Sequence, residues 1–142
     1  MNNDHAAGLL MGIMGMLCCG GVVYLAIHAF ICYLLFNDLK AIPAAHRKQE
    51  PNMVWLLMIP VFNLVWNFFV YPKISDSFKS YFDSVGRTDV GDCGKQIGLI
   101  YCIVFALSVV PYLNFLTGPA ALVLLILYLV KANELKNKIT PA

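Results

Sequence analysis

The side chains best suited to chemistry in this sequence lie on one stripe of its first long apolar segment. Thioether, thiol and imidazole groups, the soft ligands that would suit Cu(I), recur there at helical spacing: Met11, Met14, Cys18, His28 and Cys32. A packing seam in which methionine and cysteine fill gaps predicts the same pattern without a metal, and we favour it. We therefore expect no cofactor and no metal, with these five residues as the candidate ligands should copper bind.

Polar residues inside apolar segments form a second candidate set. His28 is the only ionisable residue deep within such a segment, and without an acidic partner it is expected to be neutral and hydrogen-bonded between helices. Pro60, Asn63 and Asn67 fall on one helical face. Because an amide in hydrocarbon costs free energy unless it is hydrogen-bonded, this face should point towards other helices and away from lipid.

A six-residue pattern occurs twice in the chain. Residues 59–64 (IPVFNL) and 110–115 (VPYLNF) each contain an aliphatic residue, a proline, two apolar residues, an asparagine and another apolar residue. One interpretation is a pair of broken helices that meet at a binding site, as in transporters, with Pro111 and Asn114 matching the first copy. The alternative, which we favour, is two helix entrances or kinks with purely structural roles.

The distribution of charge predicts the elements that carry these residues. The 142 residues are 60% hydrophobic and 13% charged, against about 25% charged in a soluble domain. The charges gather in three short stretches, and the uncharged segments between them approach or exceed the roughly twenty residues that cross a bilayer. We predict an all-α integral membrane bundle of four transmembrane helices in one domain (1–142), with an interfacial amphipathic helix between spans 2 and 3. The predicted spans are 8–36, 52–71, 97–112 and 118–132, the last two forming a tight hairpin, and the amphipathic helix is 73–85.

Small residues form a face on the first predicted span. Gly8, Gly12, Gly15 and Cys19 follow spacings of four, three and four residues, which would let another helix backbone approach closely. We predict that this face packs against a helix. Pro60 is expected to kink the second span, because proline removes one backbone hydrogen bond.

Basic residues predict the orientation in the membrane. In the four-span arrangement the N-terminus, the 72–96 loop and the C-terminal tail share one side and carry seven Lys and Arg, against three in the first connection. Since cytoplasmic loops are enriched in Lys and Arg, both termini are predicted to be cytoplasmic. A three-span alternative would place the termini on opposite sides.

The segment PNMVWLLMIPVFNLVWNFFVYPKISDSF, followed by GDCGKQIGLIYCIV, resembles a set of uncharacterised small bacterial membrane proteins. These share a P-x-x-V-W-L-x-x-I-P-x-x-N-L-V-W segment, a following amphipathic helix and a final hydrophobic hairpin. The resemblance covers about residues 45 to 135. It implies bacterial origin and a four-span architecture, and it implies no catalytic activity. Some members are fused to a small peptide-binding module, which would suit a role in assembly.

These observations predict a non-enzymatic protein of the bacterial inner membrane, acting as a homo-oligomer or as a small subunit of a larger membrane complex. The alternative is a small transporter, channel or membrane-permeabilising effector with a polar path lined by Asn63, Asn67 and Asn114. The expected partners are the lipid bilayer and other membrane subunits. The net charge of +2 is too small to indicate nucleic acid.

Overall fold

The computed structural model describes residues 3–139, which are helical throughout apart from short connections and contain no strand. The all-α prediction is therefore confirmed for this part of the chain. The four α-helices are α1 (Asn3–Ala41), α2 (Pro60–Ser84), α3 (Lys95–Leu107) and α4 (Asn114–Ile139), and two 3-10 helices cover Ala44–His46 and Pro51–Met58.

Among the helices of residues 3–139, α1 and α4 are long and apolar enough to cross a membrane, judged by length and composition. The third apolar helix, α3, has 13 residues and is shorter than a span requires. The chain is therefore compatible with a membrane protein. The structure does not reproduce four helices of spanning length.

The first helix has two different halves. Its 39 residues extend about 58 Å at 1.5 Å per residue, well beyond the hydrocarbon thickness of a bilayer. Between Asn3 and Ile27 nearly every side chain is exposed, whereas Cys32, Leu35 and Leu39 are fully buried. Only the C-terminal half of α1 thus packs on the rest of the chain, and the apolar N-terminal half has no cover from residues 3–139.

The segment predicted as the second span is not one helix. It begins with the 3-10 helix Pro51–Met58, reverses at Ile59, and continues as α2. The two arms lie antiparallel, as the hydrogen bond from Trp66 Nε1 to the Met53 carbonyl at 2.9 Å shows. Pro60 starts α2 instead of kinking a longer helix, since a missing N–H costs nothing in a first helical turn.

The predicted interfacial helix 73–85 is also not separate. The helix α2 runs without interruption through Pro72 to Ser84, so the expected second span and amphipathic helix merge over most of their length. Buried residues continue along its second half, with Ile74, Phe78 and Phe82 fully enclosed. This half packs against the chain, and burial among other helices stabilises it where the sequence suggested an interfacial position.

The last two helices form the expected hairpin with shifted boundaries. The turn between α3 and α4 covers residues 108–113, and α4 continues to Ile139, past the predicted end at residue 132. Pro111 lies in this turn, and Pro119 lies in the second turn of α4. Each copy of the six-residue pattern leads from a reversal into a helix, but at a different register: Pro60 begins α2 with Asn63 inside it, whereas Pro111 precedes α4 and Asn114 begins it.

Charged side chains join the helix ends at one end of the molecule. Lys136 Nζ on α4 lies 3.5 Å from Asp38 Oδ1 near the end of α1, and Lys95 Nζ at the start of α3 lies 2.9 Å from Asp76 Oδ1 on α2. Because α1 is one continuous helix, its N-terminal end lies far from Asp38 and from these ion pairs. The sequence-based grouping of the N-terminus with the 72–96 loop and the tail is therefore not what the structure shows.

Candidate functional site

The polar groups of the apolar interior meet at the reversal between the 3-10 helix and α2. His28 Nε2 lies 2.9 Å from the Leu57 carbonyl oxygen and 3.1 Å from Asn63 Nδ2. In a 3-10 pattern the Leu57 carbonyl would accept from residue 60, but Pro60 has no N–H to donate. The histidine therefore supplies the donor that the proline lacks, and it ties α1 to the reversal.

The tautomer of His28 determines which atom of the Asn63 amide points towards the ring. A single ring nitrogen cannot both donate to Leu57 and accept from the amide of Asn63. When Nε2 carries the proton, a half-turn of the amide brings Asn63 Oδ1 to the ring as a second acceptor. Asn63 Oδ1, as placed, has no hydrogen-bond partner within residues 3–139, and the same is true of Asn67 Nδ2 one helical turn further along α2.

Both asparagines lie in the interior, as their spacing predicted: Asn63 is 1% exposed and Asn67 is 2% exposed. Asn114 is different, because it is exposed in the first turn of α4. The structure thus brings Asn63 within hydrogen-bond distance of His28 and leaves Asn114 exposed.

An apolar cavity of about 300 Å³ adjoins His28, with lining residues from all four α-helices. Tyr24 stacks on the histidine ring with centroids 5.5 Å apart, and both residues line the cavity with Tyr71, Tyr101 and Ser108. The volume is at the lower end of the range for small-molecule sites, about 300–1,000 Å³. Its chemistry suits an apolar chain with few polar contacts.

Three tyrosines lock α2, α3 and α4 together beside this cavity. The Tyr128 hydroxyl donates to the Tyr71 carbonyl at 2.8 Å and lies 3.2 Å from Ser75 Oγ. The Tyr71 ring packs edge-on against Tyr101 and Tyr128, each at 4.9 Å between centroids. A Cβ added to Gly98 would lie 3.0 Å from Tyr128 Cε2, so the absence of a side chain lets α3 approach. This cluster was not predicted from the sequence; the one available signal was that a buried tyrosine hydroxyl needs a hydrogen-bond partner.

The candidate copper ligands do not converge. All five belong to α1, and Met11 and Cys32 are about 32 Å apart along a helix with 1.5 Å rise per residue. Met11, Met14 and Cys18 are exposed, while Cys32 is buried. Within residues 3–139 no three His, Cys, Asp or Glu side chains are placed to hold a metal ion.

The glycine face of α1 is exposed in the same way. A Cβ added to Gly8, Gly12 or Gly15 would meet no other atom of residues 3–139 within 4 Å, and Cys19 is exposed beside them. The predicted packing face has no partner within the described part of this chain.

Comparisons with protein-family models, curated proteins and solved structures find no match to this chain. The resemblance to small bacterial membrane proteins stays a prediction, as do the functions drawn from the sequence.

Proposed function

We propose that this chain is a non-enzymatic integral protein of the bacterial inner membrane that acts as a homo-oligomer or as a small subunit of a larger membrane complex. The observation that carries this proposal is the bare N-terminal half of α1. About 25 residues, apolar and almost fully exposed, extend from the packed part of the chain. Lipid can cover such a helix, but its face of Gly8, Gly12 and Gly15 offers a close approach to a second helix.

The polar groups of the interior support a non-enzymatic role. His28 and Asn63 contact each other, and the histidine also donates a hydrogen bond to the Leu57 carbonyl. These contacts provide hydrogen bonds to polar groups at the reversal of the chain, which is a structural role. His46 Nδ1 lies 3.2 Å from Ser80 Oγ, but its other ring nitrogen faces Ser84 Oγ at 3.4 Å, so this pair lacks the carboxylate that would orient a catalytic histidine.

Oxidative cross-linking through native cysteines tests the assembly. Cys19 continues the glycine face, and Cys18 projects about 100° away from it on the same exposed helix. With copper phenanthroline as the oxidant, two Cys19 thiols at a symmetric interface should form one disulfide. Cys18→Ala should then keep the cross-linked dimer, and Cys19→Ala should lose it. A hetero-complex would give a Cys19-dependent adduct with another protein.

The contrary result is equally clear. A protein that remains monomeric in mild detergent, with no Cys19-dependent product and no co-purifying subunit, would overturn the assembly role. Release from membranes by alkaline carbonate would overturn the integral membrane location. The two measurements are independent, so one part of the proposal can fail while the other stands.

A second candidate function, a small transporter, channel or membrane-permeabilising effector, is favoured by the buried Asn63 Oδ1 and Asn67 Nδ2, which have no hydrogen-bond partner within residues 3–139. The test is flux of small solutes through liposomes containing the native chain or the Asn63→Leu/Asn67→Leu variant. Equal flux from both, or flux no greater than in empty liposomes, would remove this candidate.

A further inference from the structure

All ten basic residues gather at one end of the molecule. Lys40, Arg47 and Lys48 follow the packed half of α1, and Arg47 donates to the carbonyl oxygens of Ile42 and Lys40. The backbone N–H of Lys48 donates to Ser77 Oγ at 2.8 Å, which places the first connection beside the second half of α2. The first connection and the loop after α2 are thus at the same end.

The remaining helix ends join this group through further contacts. Lys48, Lys73 and Lys79 line one cleft, and Lys95 pairs with Asp76 at its edge. At the end of α4, Lys136 pairs with Asp38 on α1. Among the described residues at the opposite end of α1, the only ionisable side chains within its first two turns are Asp4 and His5.

The segment between Pro51 and Lys73 starts and finishes at this basic end. From Lys73 back to Pro60 the helix α2 covers thirteen residue steps, or about 20 Å, against about 30 Å of hydrocarbon. The 3-10 arm runs antiparallel beside it, as the contact of Trp66 with Met53 shows. Neither arm can therefore carry the chain to the far side of a bilayer.

The tip of this hairpin is suited to lipid. Ile59 and Val61 are 50% and 80% exposed, and the tip carries no charge. Backbone groups in hydrocarbon must be hydrogen-bonded within the protein. Here the Leu57 carbonyl accepts from His28, the Ile59 carbonyl accepts from the Asn63 N–H at 2.8 Å, and Pro60 has no N–H to satisfy.

We propose that residues 51–73 form a re-entrant hairpin whose apolar tip inserts into the hydrocarbon from the basic side, so that the two termini lie on opposite sides of the membrane. This topology rests on the proposed membrane location. The first connection, the α2–α3 loop and the end of α4 share the cytoplasmic side, because all ten Lys and Arg lie there and none at the other end. It replaces the four-span arrangement with both termini in the cytoplasm.

The second hairpin agrees with this topology. Both ends of α3–α4 lie at the basic side. At its uncharged tip, Tyr112 in the turn is 95% exposed and Phe115 in the first turn of α4 is 92% exposed. From Lys131 to Asn114 the helix α4 covers about 26 Å, so this tip reaches towards the far boundary of the hydrocarbon without carrying a polar loop across. Because α3–α4 returns the chain to the basic side, α1 is the element that separates the two termini.

Cysteine accessibility tests the topology in cells. The parent is a Cys18→Ala/Cys19→Ala variant, whose three remaining cysteines are buried and provide the background labelling. Ala45→Cys and Thr88→Cys introduce single thiols at exposed positions in the first connection and in the α2–α3 loop. Val61→Cys places one at the tip. An impermeant maleimide is applied to intact cells and to inside-out vesicles.

We expect Ala45→Cys and Thr88→Cys to react in inside-out vesicles and to stay at background in intact cells. Val61→Cys should react in neither until the membrane is solubilised with SDS. Labelling of Ala45→Cys from outside and of Thr88→Cys from inside would establish four spans and overturn the proposal. Reaction of Val61→Cys with the reagent applied outside would also overturn it. Carbonate extraction of the same variants reports the membrane location separately.

Discussion

Substitution of Gly98 by alanine should weaken the contact between α3 and the tyrosine cluster. The new Cβ would lie 3.0 Å from Tyr128 Cε2 and 3.2 Å from Tyr71 Cβ, closer than carbon atoms normally approach. The Tyr128 ring cannot easily withdraw, because it is 1% exposed and its hydroxyl is bonded to the Tyr71 carbonyl. The strain therefore falls on the position of α3.

Two opposing effects set the size of the change. Overpacking a well-packed core costs about 1–3 kcal/mol, whereas alanine is favoured over glycine within a helix by about 1 kcal/mol. Gly98→Ala should therefore lower the free energy of unfolding by about 1 kcal/mol. Gly21→Ala is the matched control, because its Cβ meets no other atom of residues 3–139 within 4 Å. The control gains the helix propensity alone, and the difference between the two variants should be about 1–3 kcal/mol.

The assay is unfolding of the detergent-solubilised protein by titration with SDS, followed by circular dichroism and by the fluorescence of Trp55 and Trp66. The helix propensity contribution cancels between the two variants, so the comparison isolates the contact at Gly98. Equal stabilisation of both variants would refute the argument that the tyrosine cluster is closely packed and rigid.

Three further predictions use the same protein. His28→Phe keeps a ring but leaves the Leu57 carbonyl without its donor, and it should cost about 1–3 kcal/mol in the SDS titration; an unchanged stability would show that this bond contributes nothing. Lys136→Met leaves the buried Asp38 carboxylate unpaired and should cost about 2 kcal/mol, less than for a fully buried pair because the lysine is partly exposed; adding Asp38→Asn should recover most of the loss. Burial raises the pKa of the Cys93 thiol to about 11, so in the folded protein its maleimide reaction should be slow at pH 7 and accelerate as the pH rises towards that value, because thiolate is the reactive form; fast reaction at pH 7 without denaturant would contradict this burial.

Helix content and the inward amides could be predicted because both follow from local periodicity. Asn63 and Asn67 are four residues apart, so one helical turn places them on the same face, and the cost of burying an unpaired amide predicts that this face points inwards. The structure agrees on both points. The contact with His28 could not be predicted, since it joins residues 35 positions apart in the sequence.

The reversal at Ile59 escaped prediction because its residues are as apolar as the arms beside it. A span is recognised from length and hydropathy, and neither property carries the direction of the chain. A weak signal was present: Pro51, Val54 and Leu57 are the buried residues of the 3-10 arm, and they recur every third position, the period at which 3-10 side chains align. In an α-helix of 3.6-residue period the same three residues would spread over about 120°, whereas a 3-10 helix aligns them in one row.

The continuation of α2 through Pro72 shows a limit of local signals. Proline within a helix removes a hydrogen bond and usually marks a boundary, so a break after Tyr71 was expected. Tertiary packing outweighs this cost here, because Tyr71 meets two other tyrosines immediately before the proline and Ile74 is fully buried immediately after it. The ion pairs between the helix ends could not be predicted either, because they join segments that are distant in the sequence.

The 3-10 arm also solves a problem of length. A 3-10 helix rises about 2.0 Å per residue and an α-helix about 1.5 Å, so the eight residues of Pro51–Met58 climb about 16 Å where an α-helix would need eleven. The tighter winding stretches a short peptide to nearly the height of the longer helix beside it. Each residue added to or removed from this arm would move the reversal at Ile59 by about 2 Å and rotate its side chains by about 120°. The length of the arm is therefore constrained more strictly than the identity of its residues.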